Sequence, residues 1–498
     1  MRVAWHSIGA SLNDGANDMR LPLERFAGLT DLARDRRRDG AWLAAAAAGR
    51  AAVLAGSGAG PGSHVVVTHG NSIEFFADLF AVWTTGACAV CLNPGLTSNE
   101  LANVVDFMAP VAVLAGEDGT APSGLAVPVL HLADAKPGEA PPSAASALDD
   151  PALVLFTSGT TGAPKGVVLS FRALLARTAL NLAHIGAEIL SRSLCLLPTH
   201  FGHGLIGNCL TPLFAGGEVL LLPEPGLAGA RALGGLLAEH RVGFMSSVPS
   251  FWRLAMKMSP PPEPSPLRQV NVGSAPLSAA LWHEIIVWAG TDNVVNMYGL
   301  TETANWFAGA SARAFAPEDG LVGRPWGGSA ALLAAGGEIA AAGEGEVLLQ
   351  TPSLMSGYHA RPELTAEAIR DGWYRSGDWG SIDGDGLLRL VGRRRNEVNR
   401  AGVKIHVEEI DLLLEGHPAV AEACCFGLPD AVSGELVAVA VRFADGTDAD
   451  VEDLRSWCAR RIRRDCVPER WFPVDEIAKT DRGKTDREAV RRQCLEGG

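Results

Sequence analysis

No run in this chain is long and apolar enough to read as a membrane span. The most suspect stretch, AWLAAAAAGRAAVLAG (41–56), is alanine-dominated and broken by Arg50, whereas a span needs about 20 strongly apolar residues. It reads instead as a buried helix. The opening MRVAWHSIGASLNDGANDMR lacks the basic-then-apolar pattern of a secretory signal. Positive charge is also in short supply: 42 basic against 56 acidic side chains give a formal net charge of −14. That balance excludes generalised binding to nucleic acid or to anionic membranes, both of which need a cationic surface. Cysteines number nine, an odd set in a chain of 498 residues, and read as the reduced thiols of a cytosolic protein. A cytoplasmic location is the expectation.

What is present is an ordinary globular composition, 47% hydrophobic and 20% charged, in a chain long enough for more than one domain. Strand-like HVVVTHG (64–70) precedes helix-like SIEFFADLFAVWTTG (72–86). Strand-like ACAVCLNP and helix-like LTSNELANVVDFM follow, and further strands are expected at SLCLLP, EVLLLPEP, VGFMSSVP and VVNMYG. Such alternation implies βαβ units and a largely parallel sheet. Around 327–350 the texture changes to short β pieces with glycine turns, expected to form a small distorted β-barrel. After the arginine run in RLVGRRRNEVNRAG (389–402) comes a compact α+β segment, with helices expected at VEEIDLLLEGH and over 451–465. The predicted organisation is therefore α/β: residues 1–392 as a large N-terminal domain and 393–498 as a small, separable C-terminal one.

One loop concentrates chemistry. LVLFTSGTTGAPKGVVLS (153–170) runs from an apolar strand into Thr157, Ser158, Gly159, Thr160, Thr161, Gly162 and Lys165. Hydroxyls, glycine-exposed backbone N–H groups and a lysine suit phosphate oxygens. The loop is not a GxxxxGK[ST] P-loop, because Gly166 follows Lys165. GSGAGPG (56–62) precedes a strand instead of following one, so it reads as a connecting loop and not as a dinucleotide fingerprint.

FTSGTTGAPKGV resembles the signature loop of the adenylate-forming superfamily, which includes acyl-CoA synthetases, and further segments match in family order. NMYGLTETA (296–304) is similar to the adenine and metal segment. The resemblance places Asn296, Met297, Tyr298 and Gly299 along the nucleotide, Thr301 on the α-phosphate, and Glu302 on Mg²⁺. VGSAPLS (272–278) resembles the adenine-pocket stretch, with Gly273, Ser274, Ala275 and Pro276 near the base. WYRSGDWG (373–380) is similar to the ribose segment, which makes Asp378 the acceptor for a vicinal diol. GRRRNEVNRAG (392–402) resembles the hinge, implying that the C-terminal domain is mobile, with a nucleotide contact for Arg393, a pivot role for Arg395 and a place beside the incoming thiol for Gly402. AKTDRGKTDR (478–487) resembles the terminal catalytic loop and implies Lys484 as the adenylation lysine, although relatives usually carry proline where Ala478 stands.

The family's activity is then the expectation. ATP and Mg²⁺ activate a small carboxylic acid to an acyl-adenylate with loss of pyrophosphate, and the acyl group passes to coenzyme A or to a carrier protein's phosphopantetheine. The acid pocket is expected from His200, Phe201, His203, Val248, Gly273, Met297 and Trp306. Their character points to a hydrophobic or aryl acid. His200 and His203 have the spacing of a metal pair but no third ligand nearby. Phe201-Gly202 stands where amino-acid activators usually carry Phe-Asp. An α-ammonium would lack its partner there, and burying it unpaired is costly. Rival expectations are a stand-alone adenylation enzyme loading an amino acid, and a nucleotide-binding paralogue without turnover. A monomer or homodimer is expected.

Overall fold

The computed structural model describes the chain apart from residues 1–10, 13–18, 117–123, 139–146, 158–164, 223–225, 276, 335, 394–396, 445, 479–484 and 497–498. Its contacts divide it into two compact units. The first comprises Met1–Pro94, Met108–Phe156 and Gly166–Gly392; the second comprises Gly95–Phe107, Thr157–Lys165 and Arg393–Gly498.

Two sheets build the first unit. In one, His64–Val67 lies parallel to both Cys88–Cys91 and Ala112–Leu114, and Cys88–Cys91 lies parallel to Pro151–Thr157. These strands are short, Val/Leu-rich and almost wholly buried, as parallel strands covered on both faces must be. The second sheet has a parallel core running through Gly28–Asp31, Glu218–Leu221, Arg192–Cys195, Phe244–Ser247, Gln269–Val272 and Val294–Leu300. Beyond it the pairing turns antiparallel at Asn305–Ser311 and Leu321–Pro325. The short β pieces read at 327–350 are antiparallel strands of the same sheet, Ser329–Leu333 and Gly343–Gln350.

The helices start where hydroxyls can cap them. Ser72 accepts from the Phe75 amide, Ser170 from Ala173 and Ser278 from Leu281. The alanine-rich stretch is one helix, Gly40–Gly56, with Arg50 buried. Arg50 donates to Asp78 at 2.7 Å and to Glu74, so it links this helix to Ile73–Thr84. No described helix is long and apolar enough to cross a membrane. None of the nine cysteines is in a disulfide, and all are buried. Cys88 and Cys91 have CxxC spacing, yet burial pushes both thiols up, away from the thiolate that metal or redox chemistry needs.

The second unit is built on the hairpin Val420–Asp430 and Gly434–Phe443, with helices Val407–Glu415 and Val451–Ala459. The helix expected over 451–465 is shorter, Val451–Ala459, and is followed by a 3₁₀-type turn in which the Arg461 amide donates to the Cys458 carbonyl at 2.9 Å. Leu454 and Cys458 are buried in this unit's core with Ile462 packed against it, while Val451 at the head of the helix is half-buried.

Candidate active site

Two buried carboxylates, Glu302 and Asp378, stand out in the first unit. Strand Val294–Leu300 gives way to a single 3₁₀ turn, Thr301–Thr303, before Asn305–Ser311 returns antiparallel. Pairing shifts between Tyr298 and Gly299. A Cβ on Gly299 would stand 2.1 Å from the Asn305 carbonyl oxygen, so only glycine lets the strands meet this closely. Ala304 and Asn305 follow at φ 54 and φ 97, two non-glycine residues in the left-handed region, where strain gathers at functional turns. The Leu300 amide donates to Thr303 Oγ1 (3.1 Å), and that hydroxyl donates to the Asn305 carbonyl (2.9 Å). The turn presents Glu302, which is 8% exposed.

Asp378 comes from strand Trp373–Ile382. Its amide donates to Ser376 Oγ at 3.0 Å, and its Oδ2 accepts from the Tyr298 hydroxyl at 2.6 Å. The expected pairing of Tyr298 with adenine therefore has a second component, a phenol tied to the carboxylate expected to hold ribose. Glu302 is treated alike: the Tyr358 hydroxyl donates to its Oε1 at 2.8 Å, and the Tyr374 hydroxyl stands 3.5 Å from that of Tyr358. Burial, then Glu302 and Tyr358, push the Tyr374 pKa well above its usual value. The chain contains three tyrosines, and all three belong to these two carboxylate clusters. Tyr374 lies within WYRSGDWG, but neither it nor Tyr358 is singled out from the sequence; the scarcity of tyrosine was an available signal.

The expected acid pocket gathers around His203, at the start of a π-helix, His203–Leu210, a form often found at functional sites. The His203 ring lies between Ser274 Oγ (2.7 Å) and Ser246 Oγ (2.5 Å), and the Ser246 hydroxyl donates to the Asn271 carbonyl. That direction makes Nε2–H the donor to Ser246 and leaves Nδ1 to accept from Ser274. Burial pushes the His203 pKa down to about 3, so the ring is neutral. It meets Trp306 edge-on at 5.6 Å, and Met297 and Trp306 share one buried cluster. His200 and Phe201 lie ring against ring at 4.3 Å. Gly273 is buried, Ser274 takes a left-handed φ of 65, and Ala275 is half-buried. Val248 stands at the head of helix Pro249–Met258.

Asn71, unremarked in the sequence, braces this wall. It donates to the Leu197 carbonyl (2.9 Å), accepts from the Thr199 amide (2.8 Å), and its own amide donates to Thr199 Oγ1 (3.0 Å). Asn296 has its side chain committed elsewhere, donating to the Leu321 carbonyl at 2.7 Å. Thr301 is half-buried at the head of the 3₁₀ turn.

Thr157 ends one strand and Lys165 begins another. Ser158, Gly159, Thr160, Thr161, Gly162, Pro276, Arg395 and Lys484 lie outside the described residues, as does the side chain of Arg393, the last residue of strand Leu388–Arg393. In the second unit Gly402 has φ 88 in a hairpin turn, its amide donating to Asn399 Oδ1 at 3.1 Å. Among the described residues no three His, Cys, Asp or Glu side chains gather as a metal cage. A lone carboxylate such as Glu302 fits Mg²⁺, which keeps waters and phosphate oxygens as its other ligands.

Largely parallel sheets covered by helices, with one buried carboxylate in the turn after Val294–Leu300 and a second inside the antiparallel strand Trp373–Ile382, define this molecule as an α/β protein with a candidate active site. Residues 29–359 match the model of the AMP-binding enzyme family, and residues 409–484 match that of the AMP-binding enzyme C-terminal domain. The chain belongs to this family, the adenylate-forming superfamily of the acyl-CoA synthetases. It is 30% identical to an oxalate–CoA ligase of Arabidopsis thaliana over 472 residues, 89% of this chain and 91% of the relative. It is 32% identical to a feruloyl-CoA synthase of an Amycolatopsis species over 454 residues, 88% and 90% of the two chains. A solved malonyl-CoA ligase with methylmalonyl-CoA and AMP bound superposes with TM-score 0.77 at 29% identity, covering 92% of this chain and 98% of that one.

Proposed function

We propose that this enzyme, an AMP-forming acid–thiol ligase, takes a hydrophobic or aryl carboxylic acid and transfers it to coenzyme A. A carboxylate resists attack by a thiol because oxide is a poor leaving group. Attack of its oxygen on the α-phosphorus of ATP forms the acyl-adenylate and breaks the bond to the β-phosphate, releasing pyrophosphate. The thiol then attacks the acyl carbon, and AMP leaves. Such phosphoryl chemistry rests on positioning and charge stabilisation. Asp378 would orient ribose through its two oxygens, with Tyr298 fixing the carboxylate plane. Glu302 would hold Mg²⁺, which when bound offsets charge on the phosphate oxygens. Lys484 would bridge acid and α-phosphate, and Lys165 with its neighbours would take the pyrophosphate.

The nature of the acid rests on one observation: His203 is held neutral between two serines and closes edge-on against buried Trp306. That wall offers rings and no charge, which favours an aromatic or apolar acyl body. Buried thiols outside any disulfide agree with a reducing, cytoplasmic setting. A second acceptor, the phosphopantetheine of a carrier protein, draws support from exposed Arg455, Arg460 and Arg464 together with Arg461 stacked 3.2 Å over Trp457. A panel of carboxylic acids with ATP, run with and without coenzyme A and read by mass spectrometry, tests this. Aryl acids should give AMP and an adenylate, and with coenzyme A a thioester. Activation of short polar acids alone would overturn the proposed acid, and thioester only on a holo carrier protein would overturn coenzyme A as acceptor.

A further inference from the structure

We infer that Tyr358 is a positioning residue for Glu302, and that the segment from Thr351 to Tyr358, locked from behind by Arg177, sets the carboxylate expected to hold Mg²⁺. This rests on the proposal that Glu302 is the metal carboxylate. Glu302 lies in a three-residue 3₁₀ turn, too short to fix a side chain by its own hydrogen bonds. The 351–358 segment reaches that turn at three successive points. The Met355 amide donates to the Glu302 carbonyl at 2.8 Å. Ser353 Oγ donates to the Thr303 carbonyl at 2.9 Å, and the Tyr358 hydroxyl donates to Glu302 Oε1 at 2.8 Å. This segment thus holds both the backbone and the side chain of one acidic residue, and Tyr374 from strand Trp373–Ile382 also meets the carboxylate.

The segment is itself anchored at both ends. Gly357–Tyr358 pairs antiparallel with Val167–Val168, and the Ser356 amide donates to the Val168 carbonyl at 2.9 Å. At the other end Arg177, fully buried, donates to Ser353 Oγ (2.7 Å), Thr351 Oγ1 (3.0 Å) and the Trp326 carbonyl (3.2 Å). Its described partners include no carboxylate. Burying a guanidinium on neutral acceptors is costly, and what this one supplies is geometry, because its donors form a rigid planar fork. Tyr358 packs against the main core, anchored by its strand pairing, and presents its hydroxyl to Glu302 beside an open cleft of about 660 Å³ that it lines with His359 and Arg361.

The test is the affinity for Mn²⁺, measured by electron paramagnetic resonance in the presence of a non-hydrolysable ATP analogue, in Tyr358→Phe, Ser353→Ala and Glu302→Gln. Hydrogen-bond partners of a ligating carboxylate are typically worth 10–100-fold in metal affinity. Tyr358→Phe should weaken Mn²⁺ binding about tenfold, with the KM for the acid unchanged and melting close to wild type. Ser353→Ala should shift Mn²⁺ affinity in the same direction even where it also lowers the melting temperature. Wild-type Mn²⁺ affinity in Tyr358→Phe, with Glu302→Gln impaired, would overturn the positioning role and leave Glu302 as the metal carboxylate. An acid KM that worsens in step with Mn²⁺ binding would also overturn it, as general damage. Wild-type affinity in Glu302→Gln would remove the metal role itself, and this inference with it.

Discussion

Tyrosine and histidine do specific work in this molecule. The three phenols stand at Asp378 and Glu302, and His203 is a neutral ring wedged between two serine hydroxyls. The neutrality has a pH consequence. Burial lowers the His203 pKa from 6.5 to about 3, so below about pH 6.5 the unfolded chain takes up a proton that the native state refuses. The contribution to stability is therefore intact above that value and falls as pH drops from about 6.5 toward 3. His203→Gln should flatten the decline of the urea midpoint between about pH 6.5 and 4.5; a decline parallel to wild type would contradict the buried neutral ring. Glu302 and Asp378 were legible in the sequence because each sits in a short, ordered signature. Tyr358, Ser353, Arg177 and Asn71 were not. They act across 50 to 176 residues of chain, and nothing local marks a hydroxyl or amide that will be brought to a distant turn.

At the scale of elements, hydrophobic period was the dependable signal. Continuous Val/Leu runs became buried parallel strands, and the i, i+3, i+4 pattern became helices capped by serine. Period does not distinguish an i→i+5 from an i→i+4 ladder, so the π-helix at His203–Leu210 was out of reach. Nor does it show what a polar interruption will meet. Arg50 broke the alanine run in the sequence; folded, it fastens helix Gly40–Gly56 to Ile73–Thr84 through Glu74 and Asp78, while His69 Nε2 lies 2.9 Å from Asp78 Oδ2. Removing one partner of a buried charge cluster leaves the others uncompensated. Arg50→Met should cost about 3–5 kcal/mol in urea unfolding, with part of that loss recovered in Arg50→Lys. A loss below about 1 kcal/mol would place the cluster among weak, solvent-screened pairs.

At the scale of the whole molecule, the contact units are not two continuous stretches of chain: the second combines Arg393–Gly498 with Gly95–Phe107 and Thr157–Lys165. Local pattern held no hint that Gly95–Phe107 and Thr157–Lys165 group with the C-terminal segment, because that grouping depends on long-range contact. We propose that a nucleotide would bind to the first unit with its ribose on Asp378 and its metal on Glu302. Co-crystallisation with a non-hydrolysable ATP analogue and Mg²⁺ is the most direct test. Density for the ribose hydroxyls against Asp378, and for the metal beside the Glu302 carboxylate still bonded to Tyr358, is the predicted result. A nucleotide bound elsewhere, with both carboxylates touching only their tyrosines, would contradict it.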